Sequence, residues 1–165
     1  MSDDNKLFVA VKVGMVAEVQ VYNFNGLFLN SFGNGILQIV NDLTATDSKG
    51  GKIMVLGRSR DGLFSHSFVY EFSEEGHLSQ FDSFFQFSRR ICFLHKTEHV
   101  AVLARSVLVA NVPSSLKLHS KNGDFVRKIN LEAPGFKRPH TDAVTVTTEG
   151  QIGRASCRER VYVLV

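Results

Sequence analysis

Three segments of this chain repeat one arrangement, a glycine turn held between two short apolar strands: VQVYNFNGLFLNSF, FVYEFSEEGHLSQF and LKLHSKNGDFVRKI. The turn glycines are Gly26, Gly76 and Gly123, spaced 50 and 47 residues apart. A period of that length marks a stack of similar supersecondary units, none of which can bury its own apolar faces alone. Such a chain folds by laying each unit against the next.

Each unit is longer than the hairpin at its centre. An apolar strand precedes each pivot: KLFVAV from Lys6, KIMVLG from Lys52 and HVAVLA from His99. Ahead of the last two lies a strand and turn, LTATDSKGG from Leu43 and RICFLHKTE from Arg90, and AVTVTTEG from Ala143 opens another such unit. In Val19-Gln20-Val21 and Leu116-Lys117-Leu118 apolar residues hold every second place, as a strand with one buried face requires. No long stretch carries a helical stripe. The expected fold is therefore all-β, a partial β-propeller of four-stranded antiparallel blades, about three blades of a six-bladed ring that would need on the order of 280 residues. The blade pieces are expected at about 6–33, 42–82, 90–130 and 142–150.

The segment VQVYNFNGLFLNSFG followed by DLTATDSKGGKIMV resembles the NHL repeat, which builds the C-terminal propeller of many tripartite-motif (TRIM-NHL) proteins. The resemblance covers about residues 6 to 150 and is strongest in the first repeat, at Val19, Val21, Tyr22, Gly26, Phe28, Leu29 and Phe32. Later repeats depart from it: His119 stands where Tyr22 and Phe72 place an aromatic ring, and the second repeat is a residue short after its turn. The resemblance implies a recognition domain for a protein or RNA partner. In a full-length parent it implies a RING-type ubiquitin ligase, although no RING, B-box or coiled coil lies within this sequence.

Both ends depart from the repeat. Aligning the units places Met1 to Lys6 in the turn equivalent to Thr46 to Lys52, so Met1 is expected to be an internal methionine of a longer protein. From Gln151 the string QIGRASCRERV abandons the pattern where a strand like KIMVLG is due, and it resembles the translation of a sequencing-library adapter. Residues 151–165 are expected to be a non-native tail that adds little to the fold and is extended or poorly packed. Independent cDNA read across Gln151 should restore a strand like KIMVLG, whereas genomic DNA encoding GRASCRERV would refute the adapter origin.

The tail also distorts the charge. The chain has 19 basic and 16 acidic side chains, net +3, but Arg154, Arg158, Arg160 and Glu159 lie after Gln151, leaving net +1. That balance gives no reason to expect DNA as a partner. Of two cysteines only Cys92 precedes the tail, so no disulfide framework is implied. No apolar run suits a membrane span, and Asp3, Asp4 and Lys12 spoil a signal peptide. A cytoplasmic location without membrane association is the expectation.

No catalytic set emerges. His95 and His99 are four apart as on a zinc-binding helix, but they flank a strand-to-strand turn, where the rings need not converge. Gly33-Asn34-Gly35 has no helix after it to form a phosphate cradle and reads as a flexible connection between units. Gly50-Gly51-Lys52 lacks P-loop spacing, and Ser65-His66-Ser67 has no identifiable acid partner. The expected innermost strands, Leu43–Thr46, Ile91–Leu94 and Val144–Thr147, offer no carboxylate or imidazole for a channel metal. That argues against a lactonase-like or lyase-like propeller enzyme, and no cofactor or metal is expected. A purely structural array stays open as an alternative.

Charge placement is more informative. Connections before the first and after the second strand of each unit should share one rim, where six of the eight cations are arginine: Arg58, Arg60, Arg89, Arg90, Arg105 and Arg138. All four cations of the opposite rim are lysine. Arginine presents a planar fork that matches phosphate and carboxylate and stacks on bases. These six residues are the expected ligand-binding set for a protein or RNA partner.

Overall fold

The computed structural model describes residues 6–46, 52–59, 67–73, 76–82, 88–104, 115–131, 143–146, 152–155 and 160–163, and none of these is helical. They form four antiparallel sheets in chain order. The first holds β1 (Lys6–Val13), β2 (Val16–Asn23) and β3 (Phe28–Phe32). The second holds β4 (Leu37–Ala45), β5 (Lys52–Ser59), β6 (Phe68–Ser73) and β7 (Gly76–Asp82). The third holds β8 (Ser88–Leu94), β9 (His99–Ala104), β10 (Ser115–Ser120) and β11 (Phe125–Asn130). The fourth holds β12 (Ala143–Val146), β13 (Ile152–Ala155) and β14 (Arg160–Val163). Within every sheet each strand pairs with its neighbour in sequence, the up-and-down order of propeller blades.

The expected hairpins are present. Gly26 and Gly123 adopt φ of 80° and 95° in the turns of β2–β3 and β10–β11, a backbone state that glycine enters without a Cβ penalty. A residue three places earlier holds each turn. Asn23 Oδ1 accepts the amides of Asn25 and Leu27 at 3.0 and 2.9 Å, and Ser120 Oγ accepts those of Asn122 and Asp124 at 3.3 and 3.1 Å. Gly76 opens β7 directly opposite Ser73, while Glu75 lies outside the described residues. After each of these turns the ladder slips at one equivalent place: between Val21 and Tyr22, Glu71 and Phe72, and Leu118 and His119. Three bulges at one repeat position show that the units share backbone detail as well as strand order.

Apolar faces meet between sheets. Val19, Val21 and Phe32 of the first sheet pack on Ile53, Val55, Tyr70 and Phe72 of the second. The reverse face of the second sheet, with Met54, Leu56 and Val69, packs on Ile91, Phe93, Val100 and Val102 of the third. Alternation along β5 and β9 thus sends successive side chains into different seams. One aromatic contact repeats in both: Phe32 stacks on Phe72 at 5.0 Å, and Phe81 lies over His119 at 5.3 Å. His119 keeps the ring shape of that position and places Nδ1 3.3 Å from the carbonyl oxygen of Gly123 in the adjoining turn.

One expectation needs correction. β4 begins at Leu37 rather than near residue 42, because Gly33-Asn34-Gly35 is an ordered turn in which Gly33 O accepts the amides of Ile36 and Leu37 at 3.1 and 2.9 Å. That turn returns the chain straight into the next sheet. Ile152–Ala155 and Arg160–Val163, inside the expected tail, are extended, as expected there, and pair in register with β12 and with each other. There Arg154 sits opposite Val144, at the strand position that Val55 and Val102 hold in the preceding sheets.

Candidate functional site

The innermost strands β4, β8 and β12 run beside one another, and β4 is tied to β8 by side chains. Asn41 Nδ2 donates to Ser88 O at 2.9 Å, Asp42 Oδ2 accepts the Ile91 amide at 2.9 Å, and Thr44 Oγ1 accepts the Phe93 amide at 3.3 Å. The partners are 47, 49 and 49 residues apart, one repeat each. Two ladder slips in β4, between Leu37 and Ile39 and between Val40 and Asp42, make room for this. Bulges re-aim side chains, and here neighbouring Asn41 and Asp42 both reach β8.

Asp42 corrects the reading that no innermost strand carries a carboxylate. β4 extends further back than the expected Leu43–Thr46 and so takes in Asp42. Burial pushes its carboxyl above the ordinary 3.8, while the Ile91 amide, the nearby Arg90 charge and the Leu43 amide pull the other way. A raised carboxyl holds its proton better in the fold than in the unfolded chain. Its contribution therefore falls as pH rises from 3.8 through the raised value. Asp42→Asn, which keeps an acceptor for Ile91, should raise stability at neutral pH and flatten that acidic slope. Urea midpoints measured between pH 4 and 7, as round settings spanning the carboxylate range, test this; an unchanged slope would count against it. Cys92, beside Asp42 in the same strand layer, is buried, and burial with the Asp42 charge lifts its thiol to about 12. A thiol held protonated is a poor nucleophile, so Cys92 acts as a small apolar residue of the seam.

Three of the six expected arginines are described, and they lie on strands rather than in connecting loops. Arg58 is in β5 opposite Ile39, Arg89 and Arg90 open β8, and Arg60, Arg105 and Arg138 lie outside the described residues. The Asn41 and Asp42 bonds set Ser88 and Ile91 level with the middle of β4, just past Ile39, where Arg58 pairs. Arg58, Arg89 and Arg90 therefore share one end of the seam between the second and third sheets. Arg58 follows Met54 and Leu56 at alternate positions, so it faces the third sheet, and its Nε is buried without a hydrogen-bond partner. Arg89 is exposed, Arg90 half-buried near Asp42. Chemically, this is a cationic end with fork-shaped donors directed outward and into a seam. His95 and His99 lie elsewhere: His95 rests edge-on against Phe93 at 5.1 Å in the turn, and His99 pairs with Leu94 in the ladder.

Neither a family model nor a curated protein matches this sequence. Solved structures do. A structure described as the Dos1 propeller is similar with a TM-score of 0.53 at 6% identity, over 96% of this chain and 49% of that one. A crystal structure of a eukaryotic initiation factor is similar with a TM-score of 0.51 at 10% identity, over 92% of this chain and 36% of that one. The chain spans half or less of the length of these neighbours. At such identities the likeness concerns the fold, and it places the four sheets in the propeller class.

Proposed function

We propose that this chain is part of a recognition propeller of the NHL type, whose arginine-bearing end binds an anionic partner, RNA or an acidic protein surface. The propeller fold is an architecture for binding and scaffolding. The observation that carries the choice of surface is that Arg58, near the end of β5, and Arg89 and Arg90, at the start of β8, lie toward the same end of one seam. An arginine with a buried, unbonded Nε has already lost water from that group and gains most from an incoming oxyanion acceptor. Asp42, the one carboxylate on a described innermost strand, spends an oxygen on the Ile91 amide, so the reading is of binding rather than catalysis. By the NHL resemblance, the partner would be a substrate or RNA delivered to a ubiquitin-ligase module elsewhere in a longer, cytoplasmic protein.

The test uses single-stranded RNA and acidic peptides over a salt series. Each phosphate contact steepens the dependence of affinity on salt. Exchanging Arg58 and Arg89 for alanine should weaken RNA binding and flatten the slope by about one to two units. Loss confined to acidic peptides would assign the surface to a protein partner. Binding that survives Arg58→Ala, Arg89→Ala and Arg90→Ala together would remove this end as the recognition surface.

A further inference from the structure

Asn-Gly occurs at three places in this chain, Asn25-Gly26, Asn34-Gly35 and Asn122-Gly123, and each lies in a turn with its asparagine exposed. Hydrogen bonding separates them. In the two hairpins the pair fills the third and fourth places of a four-residue turn. There the glycine amide closes the turn, Gly26 N donating to Asn23 O and Gly123 N to Ser120 O, both at 3.0 Å. The asparagine amides are held too, by Asn23 Oδ1 at 3.0 Å and Ser120 Oγ at 3.3 Å. Between β3 and β4 the pair is shifted by one place. Gly33 O accepts Ile36 N at 3.1 Å and Leu37 N at 2.9 Å, so Asn34 and Gly35 are the central residues of that turn. Among the described residues neither the Asn34 side chain nor the Gly35 amide has a hydrogen-bond partner.

We propose that Asn34-Gly35 is a modification site, at which the folded chain deamidates and isomerises ahead of its other Asn-Gly pairs. Asparagine is among the thermolabile residues, and a following glycine puts no Cβ in the path of attack. The Gly35 nitrogen bonds to Asn34 Cγ, the Cγ–Nδ2 bond breaks, and the amide hydrogen leaves with Nδ2 as ammonia. Water then opens the succinimide ring at either carbonyl. Opening at Cγ leaves aspartate in the native main chain. Opening at the backbone carbonyl leaves isoaspartate, whose main chain runs through the former side chain and is longer by a methylene. In the hairpins the same attack must first give up the hydrogen bond of the glycine amide, so those turns hold their asparagines back.

The product matters because the turn is tight. A Cβ on Gly33 would stand 2.6 Å from Leu37 Cδ1, and Leu37 is fully buried at the first rung of β4, opposite Ser59. A main chain lengthened between Gly33 and Leu37 does not keep both bonds to Gly33 O, so isoaspartate loosens the point at which the chain enters the second sheet. This inference rests on the turn alone and not on the arginine-bearing end.

The test ages the 165-residue chain in mildly alkaline buffer and digests it at intervals. Mass spectrometry, with aspartyl and isoaspartyl peptides separated by chromatography, then gives a rate at each of the three sites. In the folded chain Asn34 should convert about three- to tenfold faster than Asn25 or Asn122, the factor that one hydrogen bond supplies. In urea, where the turns are gone, the three rates should converge. Asn23→Ala, which removes the acceptor for the Asn25 and Leu27 amides, should speed conversion at Asn25 and leave Asn122 unchanged. Asn34→Gln should abolish the fast conversion, and circular dichroism checks that each variant stays folded. The Ile36 and Leu37 amides should exchange hydrogen faster in the isoaspartyl chain than in the fresh one. Conversion at Asn25 or Asn122 as fast as at Asn34 in the folded chain would overturn the proposal. So would the same ratio of rates in urea as in buffer, which would assign the order to flanking sequence rather than to the turn.

Discussion

Phe72→Ala is expected to cost about 3–5 kcal/mol, a large part of the roughly 5–15 kcal/mol that holds a domain folded. Phe72 is fully buried at the centre of an aromatic row. It stacks on Phe32 of the neighbouring sheet at 5.0 Å, on Tyr70 at 6.1 Å and against His77 at 5.4 Å. Backbone on both sides of it belongs to paired strands, so the walls of the cavity cannot close on the missing ring, and the cavity adds to the lost transfer energy. Urea denaturation measures the effect, with Phe24→Ala as the comparison, because Phe24 is 76% exposed and its removal should change little. Equal costs for the two would mean that the seam between the first and second sheets is not packed as described.

Gly57→Val is the second large effect, and its cause is space. A Cβ built on Gly57 would stand 2.6 Å from the backbone oxygen of Ile39 and 3.3 Å from Leu37 Cδ2. Backbone oxygen in a paired strand has nowhere to go without opening the ladder, and a glycine inside a strand often marks such an approach. Overpacking alone costs about 1–3 kcal/mol. Here it also pushes β4 away from β5 between its two ladder slips, where Asn41 and Asp42 are aimed at β8. Gly57→Ala should be destabilising and Gly57→Val more so, with faster hydrogen exchange at the Ile91 amide as the local readout. A valine variant with an unchanged urea midpoint and unchanged exchange at Ile91 would refute both the contact and its link to the third sheet.

The parts of this fold that were legible in the sequence are those fixed by short-range chemistry. Asn25-Gly26 and Asn122-Gly123 name their own turns, and alternation through Val19-Gln20-Val21 names a strand with one buried face. The side chains that hold those turns, Asn23 and Ser120, were equally present in the sequence. They are read only when residues three places before each glycine are compared across units. The start of β4 was hidden for a different reason. Leu37-Gln38-Ile39-Val40-Asn41-Asp42 does not alternate, because two bulges break the period, and unbroken alternation is what sequence reading looks for. Asp42 therefore falls just outside the strand expected from Leu43, and its role as an acceptor for the Ile91 amide depends on a strand 49 residues away. The arginines were legible as a group but not in their setting. Composition separates Arg58, Arg89 and Arg90 from the lysines, yet only the pairing of β4 with both β5 and β8 brings them to one end.

The bonds between β4 and β8 have a direction, and synthesis on the ribosome follows it. Two of the three run from backbone amides of the later strand to side-chain acceptors of the earlier one, Ile91 to Asp42 and Phe93 to Thr44. When β8 emerges during translation, the residues carrying those acceptors have already been made. The opposite order would leave a nascent strand carrying open amides while its acceptors were still unmade. At this seam the growing polypeptide therefore supplies two side-chain acceptors before the amides that use them.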